Sequence, residues 1–264
     1  MNDGDIEVDV IGRPGAVMAY VMDSVSDSDK WSVPFLPYIP LPHFLSLHGL
    51  MLLFAAGFLY LLFGKFYNKE KMVPSGLTNA LEVLVLFIRD EVAIAALGDK
   101  DGRRMAPIFF SFFFFILVLN LMGLIPLFAG ATGNVNVTAG LALCTLFFMV
   151  FGAIHANGVK GFLKAFIPHG IPTPILVILV PIEFLSLVIK TAALTIRLFA
   201  NMMAGGIVLY ALIGLIVMFG APALPSMLLA LLIFLLKLVV AFLQAYIFTM
   251  LSAIFIGQTM HPEH

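Results

Sequence analysis

From Pro174 to Phe219 the chain is almost wholly apolar, interrupted by a handful of polar side chains, and no water-soluble fold can bury an unbroken run of that length. As one α-helix it would reach roughly 70 Å, more than twice the ~30 Å hydrocarbon core of a bilayer. A second run, Pro225 to Gly257, would reach roughly 50 Å by the same rise, and only the short GAPALP separates the two. Two readings are open. The runs form a hairpin of two long, strongly tilted or bent helices, or Pro181 or Gly205–Gly206 breaks the first into two shorter spans. The polar pattern described below favours the hairpin.

The rest of the chain agrees with a membrane setting. Residues are 62% hydrophobic and 11% charged, whereas a soluble domain is ~25% charged. Segments of single-span length lie at 44–64, at 107–128 (PIFFSFFFFILVLNLMGLIPLF) and at about 139–156. Residues 77–98 are also apolar but carry Glu82, Arg89, Asp90 and Glu91. Charges in mid-segment argue for an amphipathic helix lying along the interface rather than a full crossing. The expected fold is therefore an all-α integral membrane protein. It has about three transmembrane helices, a surface amphipathic helix and a C-terminal hairpin of two long tilted helices, 172–219 and 225–258. Residues 1–42, acidic and then rich in proline (Pro34, Pro37, Pro40, Pro42), read as a loosely ordered tail preceding one membrane domain, 43–264.

Basic residues set the orientation. The 65–106 connection holds Lys65, Lys69, Lys71, Arg89, Lys100, Arg103 and Arg104, and the 158–173 loop holds Lys160 and Lys164. Both should face the cytoplasm. Loops 129–138 and 220–225 have no basic residue and should face outside, which puts the N-terminal tail outside and the C-terminal HPEH inside. The first residues, MNDGDIEVDVIG, lack a basic n-region and an apolar core, so a secretory signal is not expected there. A net charge of −1 gives no electrostatic case for a nucleic-acid partner. One cysteine, Cys144, can make neither an internal disulfide nor a cysteine metal cluster. His48, His155 and His169 fall on separate segments, so haem ligation is not expected, and no cofactor or metal is.

Charged groups cost ~2.5–3.5 kcal/mol each near the centre of a membrane helix on insertion scales. The first long run nevertheless carries Glu183, Lys190, Arg197 and Asn201, at steps of seven, seven and four. Those steps put all four on one helix face. The last run repeats the device with Lys237, Gln244 and Gln258 at steps of seven and fourteen. Taken singly, each has a bland explanation. Lys190 can snorkel to the interface, Glu183 can pair with it as static glue, and Asn201 and Gln244 can be ordinary interhelical hydrogen bonds. A guanidinium deep in the run has no neutral form to retreat to. Arg197 needs a counter-charge that this chain hardly offers, which points to another subunit. Ala200 and Ala204, followed by Gly205 and Gly206, form a small-residue face that admits a close helix. That helix is either the chain's own last one or a second protein.

The stretch PIEFLSLVIKTAALTIRLFANMMAGG, with RLFANMMAG at 197–205, resembles the signature of subunit a of F-type ATP synthases. So do FLQAYIFTMLSAIFI at 242–256, NLMGLIP at 120–126 and GNVNVTAGLAL at 133–143, and the resemblance runs from about residue 40 to the end. It implies a non-catalytic, proton-translocating stator subunit in a bacterial-type inner membrane. Its partners would be the c-subunit ring, the b-type peripheral stalk subunits, the rest of the synthase and lipid. Two offset half-channels would lead to the ring carboxylates, with Arg197 as the essential arginine between them. Asn201 and Gln244 match amides near it, Glu183 an acidic position and Lys190 a basic one. The sequence departs from the family pattern at two positions. Gly206 and Lys237 stand where many members place titratable residues. The expectation is that Lys237 lines the outer half-channel, with Gly206 making room for it. A secondary transporter would also bury charge near the midplane, but it usually shows repeated halves, which this sequence lacks. A purely structural anchor leaves Arg197 unexplained.

Overall fold

A computed structural model describes residues 30–31, 39–40, 46–65, 76–125, 128, 130–165, 173–219 and 224–261. Most of the 1–42 tail lies outside them, as do Lys69, Lys71 and His169. Within the tail, β1 (Lys30–Trp31) and β2 (Ile39–Pro40) pair antiparallel, Lys30 opposite Pro40 and Trp31 opposite Ile39. Among the described residues all other regular structure is helical, and five helices are long and apolar enough to cross a membrane: Leu47–Gly64, Thr78–Met122, Val135–Phe162, Ile175–Leu209 and Pro225–Met260.

Helix α1 (Leu47–Lys65) starts at Ser46, whose Oγ accepts the Gly49 N–H at 3.2 Å, an N-cap that satisfies one of the free donors of the first turn. Helix α2 (Leu77–Phe87) passes into a π-helical stretch, Ile88–Ile94, and then into α3 (Ala95–Met122). The helix is kinked at Gly98, which has φ 80° and ψ 172°, a conformation that glycine adopts without a Cβ penalty. The chain turns there, at the end of the predicted 77–98 segment. It folds back so closely that a Cβ on Gly102 would stand 2.7 Å from both the Ala93 carbonyl oxygen and the Ile94 Cα. Helix α3 ends earlier than the predicted 128, because turn bonds to the third residue back take over at Leu124 and Ile125.

Helix α4 (Val135–Ala165) begins after a 3₁₀ turn, Ala131–Gly133, with the Asn134 side-chain oxygen accepting the Asn136 N–H at 2.9 Å. It is broken at Gly158 (φ 71°, ψ 167°), close to the predicted end of that span. Helix α5 (Thr173–Phe219) runs without a break through Pro181 and through Gly205–Gly206, so the first long run is one helix and not two. Neighbouring helices and hydroxyls re-satisfy a proline-freed carbonyl well enough for such a helix to persist. Helix α6 (Leu224–Met260) is the second long run.

The chain forms two compact units, and the long helices contribute residues to both. The first comprises Met1–Ala55, Leu117–Val137 and Leu198–Leu243; the second comprises Ala56–Ile116, Thr138–Arg197 and Gln244–His264. Packing in the second is aromatic. Phe112 meets Phe148 and Phe248 edge-on at 6.2 and 6.0 Å, and Phe63 meets Phe114 at 5.0 Å. Buried Thr145 and Ser252 share a hydrogen bond of 3.0 Å. Asn157 Nδ2 donates to the Met260 carbonyl at 2.7 Å, and a methyl added at Gly257 would overlap the Ala96 carbonyl oxygen. In the first unit, buried Thr132 donates to Asn120 Oδ1 at 2.9 Å and Asn120 Nδ2 donates to the Ala241 carbonyl at 3.3 Å.

Candidate functional site

The polar stripe of α5 borders its packed face. Leu187, Thr191, Leu194 and Leu198 are buried, and helical geometry sets Glu183, Lys190, Arg197 and Asn201 along one edge of that stripe. Two threonines close to the charges turn their hydroxyls inward. Thr191 donates to the Leu187 carbonyl at 2.9 Å and Thr195 to the Thr191 carbonyl at 3.1 Å. The helix thus consumes its own hydroxyl donors and leaves the longer side chains to meet the surroundings.

In the second unit, Glu183 and Arg197 are exposed, and among the described residues neither makes an ion pair. Lys190 is engaged. Its ammonium donates to Gln258 Oε1 at 3.1 Å and lies 5.3 Å from the Phe255 ring centroid, a cation–π contact. Two members of the predicted stripes, one on α5 and one on α6, are therefore joined directly, and both of the ammonium's partners are neutral groups. Gln244 is only 5% exposed, and among the described residues its Nε2 has no hydrogen-bond partner. A buried amide donor left unmade costs roughly 1–3 kcal/mol, so this group is open to an acceptor that the described residues do not supply.

In the first unit, Asn201 and Lys237 are half-buried. The Lys237 methylenes lie over a glycine: a Cβ built on Gly205 would be 3.0 Å from Lys237 Cε and 3.3 Å from Cδ. The glycine so covered is Gly205, the neighbour of the predicted Gly206. Ala200 and Ala204, the small pair beside Arg197, are exposed. Of the two helices that could have covered them, the chain's own α6 leaves them open.

Several polar groups outside the two predicted stripes are as well placed as those within them. Asn120 and Thr132 form the buried relay of the first unit, and His48, 2% exposed, has its Nδ1 3.2 Å from Asn134 Nδ2. NLMGLIP and GNVNVT carried a signal for Asn120 and Asn134, amides set in apolar sequence. His155 stacks on Phe151 at 6.3 Å. Among the described residues no three His, Cys, Asp or Glu side chains gather as metal ligands would.

Comparison with known proteins sets these residues in context. The family model described as ATP synthase A chain matches residues 48–257. A protein named ATP synthase subunit a from Anaeromyxobacter dehalogenans (strain 2CP-1 / ATCC BAA-258) is 49% identical over 215 residues, 80% of this chain and 56% of that protein. The protein of the same name from Myxococcus xanthus (strain DK1622) is 48% identical over 200 residues, 75% of this chain and 66% of its own length. That from Chloroherpeton thalassium (strain ATCC 35110 / GB-78) is 45% identical over 251 residues, 90% of this chain and 74% of its own length. The chain spans little more than half the length of the Anaeromyxobacter relative.

Proposed function

Because this chain belongs to the ATP synthase A chain family, we propose that it is the stator subunit of a proton-driven rotary motor, with Arg197 as the fixed charge between two half-channels. The chain makes no ATP itself. It works beside a ring of c subunits, with b-type peripheral stalk subunits and the rest of the synthase, in a bacterial inner membrane. Three transmembrane helices and the interfacial helix 77–98 support the hairpin 172–219/225–258 that faces the ring. The N-terminal tail lies outside and the C-terminus in the cytoplasm.

The observation that carries this reading is an exposed guanidinium on a membrane-length helix with no carboxylate partner among the described residues. Leaving a permanent cation unpaired in lipid is expensive. A carboxylate presented by a passing ring removes that cost, and the bare Ala200–Ala204 face leaves room for the helix that brings it. Facing Arg197, a ring carboxylate is held ionised. A proton from the outer half-channel neutralises it, so that it can enter lipid. After nearly a full turn it meets the inner half-channel and gives the proton up. Arg197 prevents direct leakage, because a proton crossing beside a fixed cation meets electrostatic repulsion. Gln244, with its free buried donor, and Asn201 can orient the arginine or its carboxylate without neutralising either. Lys237 lines the outer path above Gly205. Glu183 and the Gln258-held Lys190 line the inner one.

ATP-driven proton pumping in vesicles carrying the whole complex tests this directly. Arg197→Ala should abolish pumping while the complex still assembles. Pumping at the wild-type rate would make Arg197 structural and end the proposal.

A further inference from the structure

In the first unit the thioether of Met202 lies in a socket walled by glycines. A Cβ on Gly123 would overlap Met202 Cε and stand 3.0 Å from the Gly130 Cα; one on Gly130 would be 2.9 Å from Cε; one on Gly133 would be 3.9 Å from Met202 Cγ. The socket has its own braces. The Gly133 N–H donates to the Gly130 carbonyl at 2.7 Å, Thr132 donates to Asn120 Oδ1 at 2.9 Å, and Asn120 Nδ2 reaches the Ala241 carbonyl of α6 at 3.3 Å. Methionine is the most deformable of core side chains, and one added methyl would ordinarily be avoided by swinging the Cε aside. Here Cε packs against two glycine backbones at once, those of Gly123 and Gly130, so more than one contact holds it.

On a helix, fixing the direction of one side chain fixes that of its neighbours. The residue before Met202 is Asn201, and Arg197 lies five positions earlier on the same unbroken α5. With side chains reaching 5–6 Å from a helix axis, a turn of about 20° moves their tips by about 2 Å. We infer that Met202 and its glycine socket are positioning residues that set the rotation of α5, and through it the aim of Asn201 toward the ion path. This rests on the stator reading above. Met202 itself touches neither proton nor carboxylate.

The test is ATP-driven pumping per ATP hydrolysed, measured on assembled complexes. Gly123→Ala fills the socket and should lower coupled pumping on the order of tenfold, as misplacement of a functional group by an ångström or more does. Gly123→Ala with Met202→Ala gives the added methyl its space back and should recover most of the loss. In an Asn201→Ala background the same Gly123→Ala should cost less than about twofold, because groups acting as one unit are non-additive. Where Gly123→Ala does not assemble, Met202→Ala alone, which frees α5 to turn, should show the loss. Wild-type pumping by the assembled Gly123→Ala or by Met202→Ala, no recovery in the double variant, or a full cost in the Asn201→Ala background would each overturn the inference. Normal pumping by Arg197→Ala would remove the stator reading and this inference together. An inactive Arg197→Ala beside a normal Gly123→Ala removes the socket alone.

Discussion

Two membrane-length segments of this chain have nearly the same mean hydropathy, 2.3 and 2.2, and lead opposite lives. Half of the apolar stretch within Thr78–Met122 is buried inside the chain (50%), against 11% within Ile175–Leu209. The α3 phenylalanines Phe109, Phe112, Phe113 and Phe114 are buried within the chain, whereas Val188, Ile189 and Ile196 of α5 are exposed. Burial in the first case is a matter of internal fit. In the second, something outside the chain must supply the covering, and the polar groups on that helix are what the covering meets. The two segments thus differ in where their contacts are made and hardly at all in mean hydropathy.

That contrast can be broken or sharpened by substitution. Phe113 is fully buried, and Phe113→Ala should cost about 3–5 kcal/mol through the cavity it leaves, seen as a lower midpoint of thermal unfolding of the solubilised complex. Thr145→Val leaves the Ser252 hydroxyl buried and unbonded and should cost about 1–3 kcal/mol by the same measurement. Gln244→Leu removes a donor that already lacks a partner, so stability should change by less than about 1 kcal/mol while pumping falls. A large loss of stability there would mean the amide is internal glue. Ile196→Ala, on the outward face of α5 at 63% exposure, should change the stability of the isolated subunit by no more than about 0.5 kcal/mol, seen as a nearly unmoved midpoint. A larger shift would place that face in the chain's own core and erase the contrast.

Segment lengths were legible from the sequence because the bilayer imposes them: α5 and α6 follow the two long runs nearly end to end, and Gly98 turns the chain where the 77–98 segment was expected to stop. The stripe spacing also survives, with Lys190 and Gln258 joined. Internal faces were much less legible. In water an apolar stripe marks the core, but a membrane helix is apolar on both its inner and its outer side. Nothing in FFSFFFFIL says which phenylalanines turn inward. The Met202 socket was invisible for a related reason. Its walls are glycines 123, 130 and 133, whose contribution is a missing side chain, and Asn120 and Thr132 brace it across a turn that periodicity does not describe.

Gly257 has a mechanical consequence. It seats α6 against the Ala96 carbonyl with no side chain between the two. Side chains are the soft part of a helix contact, since they can change rotamer and let neighbouring backbones shift. Backbone against backbone has no such give. Pushed toward Ala96, α6 meets a hard stop; pulled away from it, the same helix is restrained only by side-chain contacts and a few hydrogen bonds such as that from Asn157 to the Met260 carbonyl. Its stiffness at this point therefore depends on the direction of the force, high in compression and low in tension.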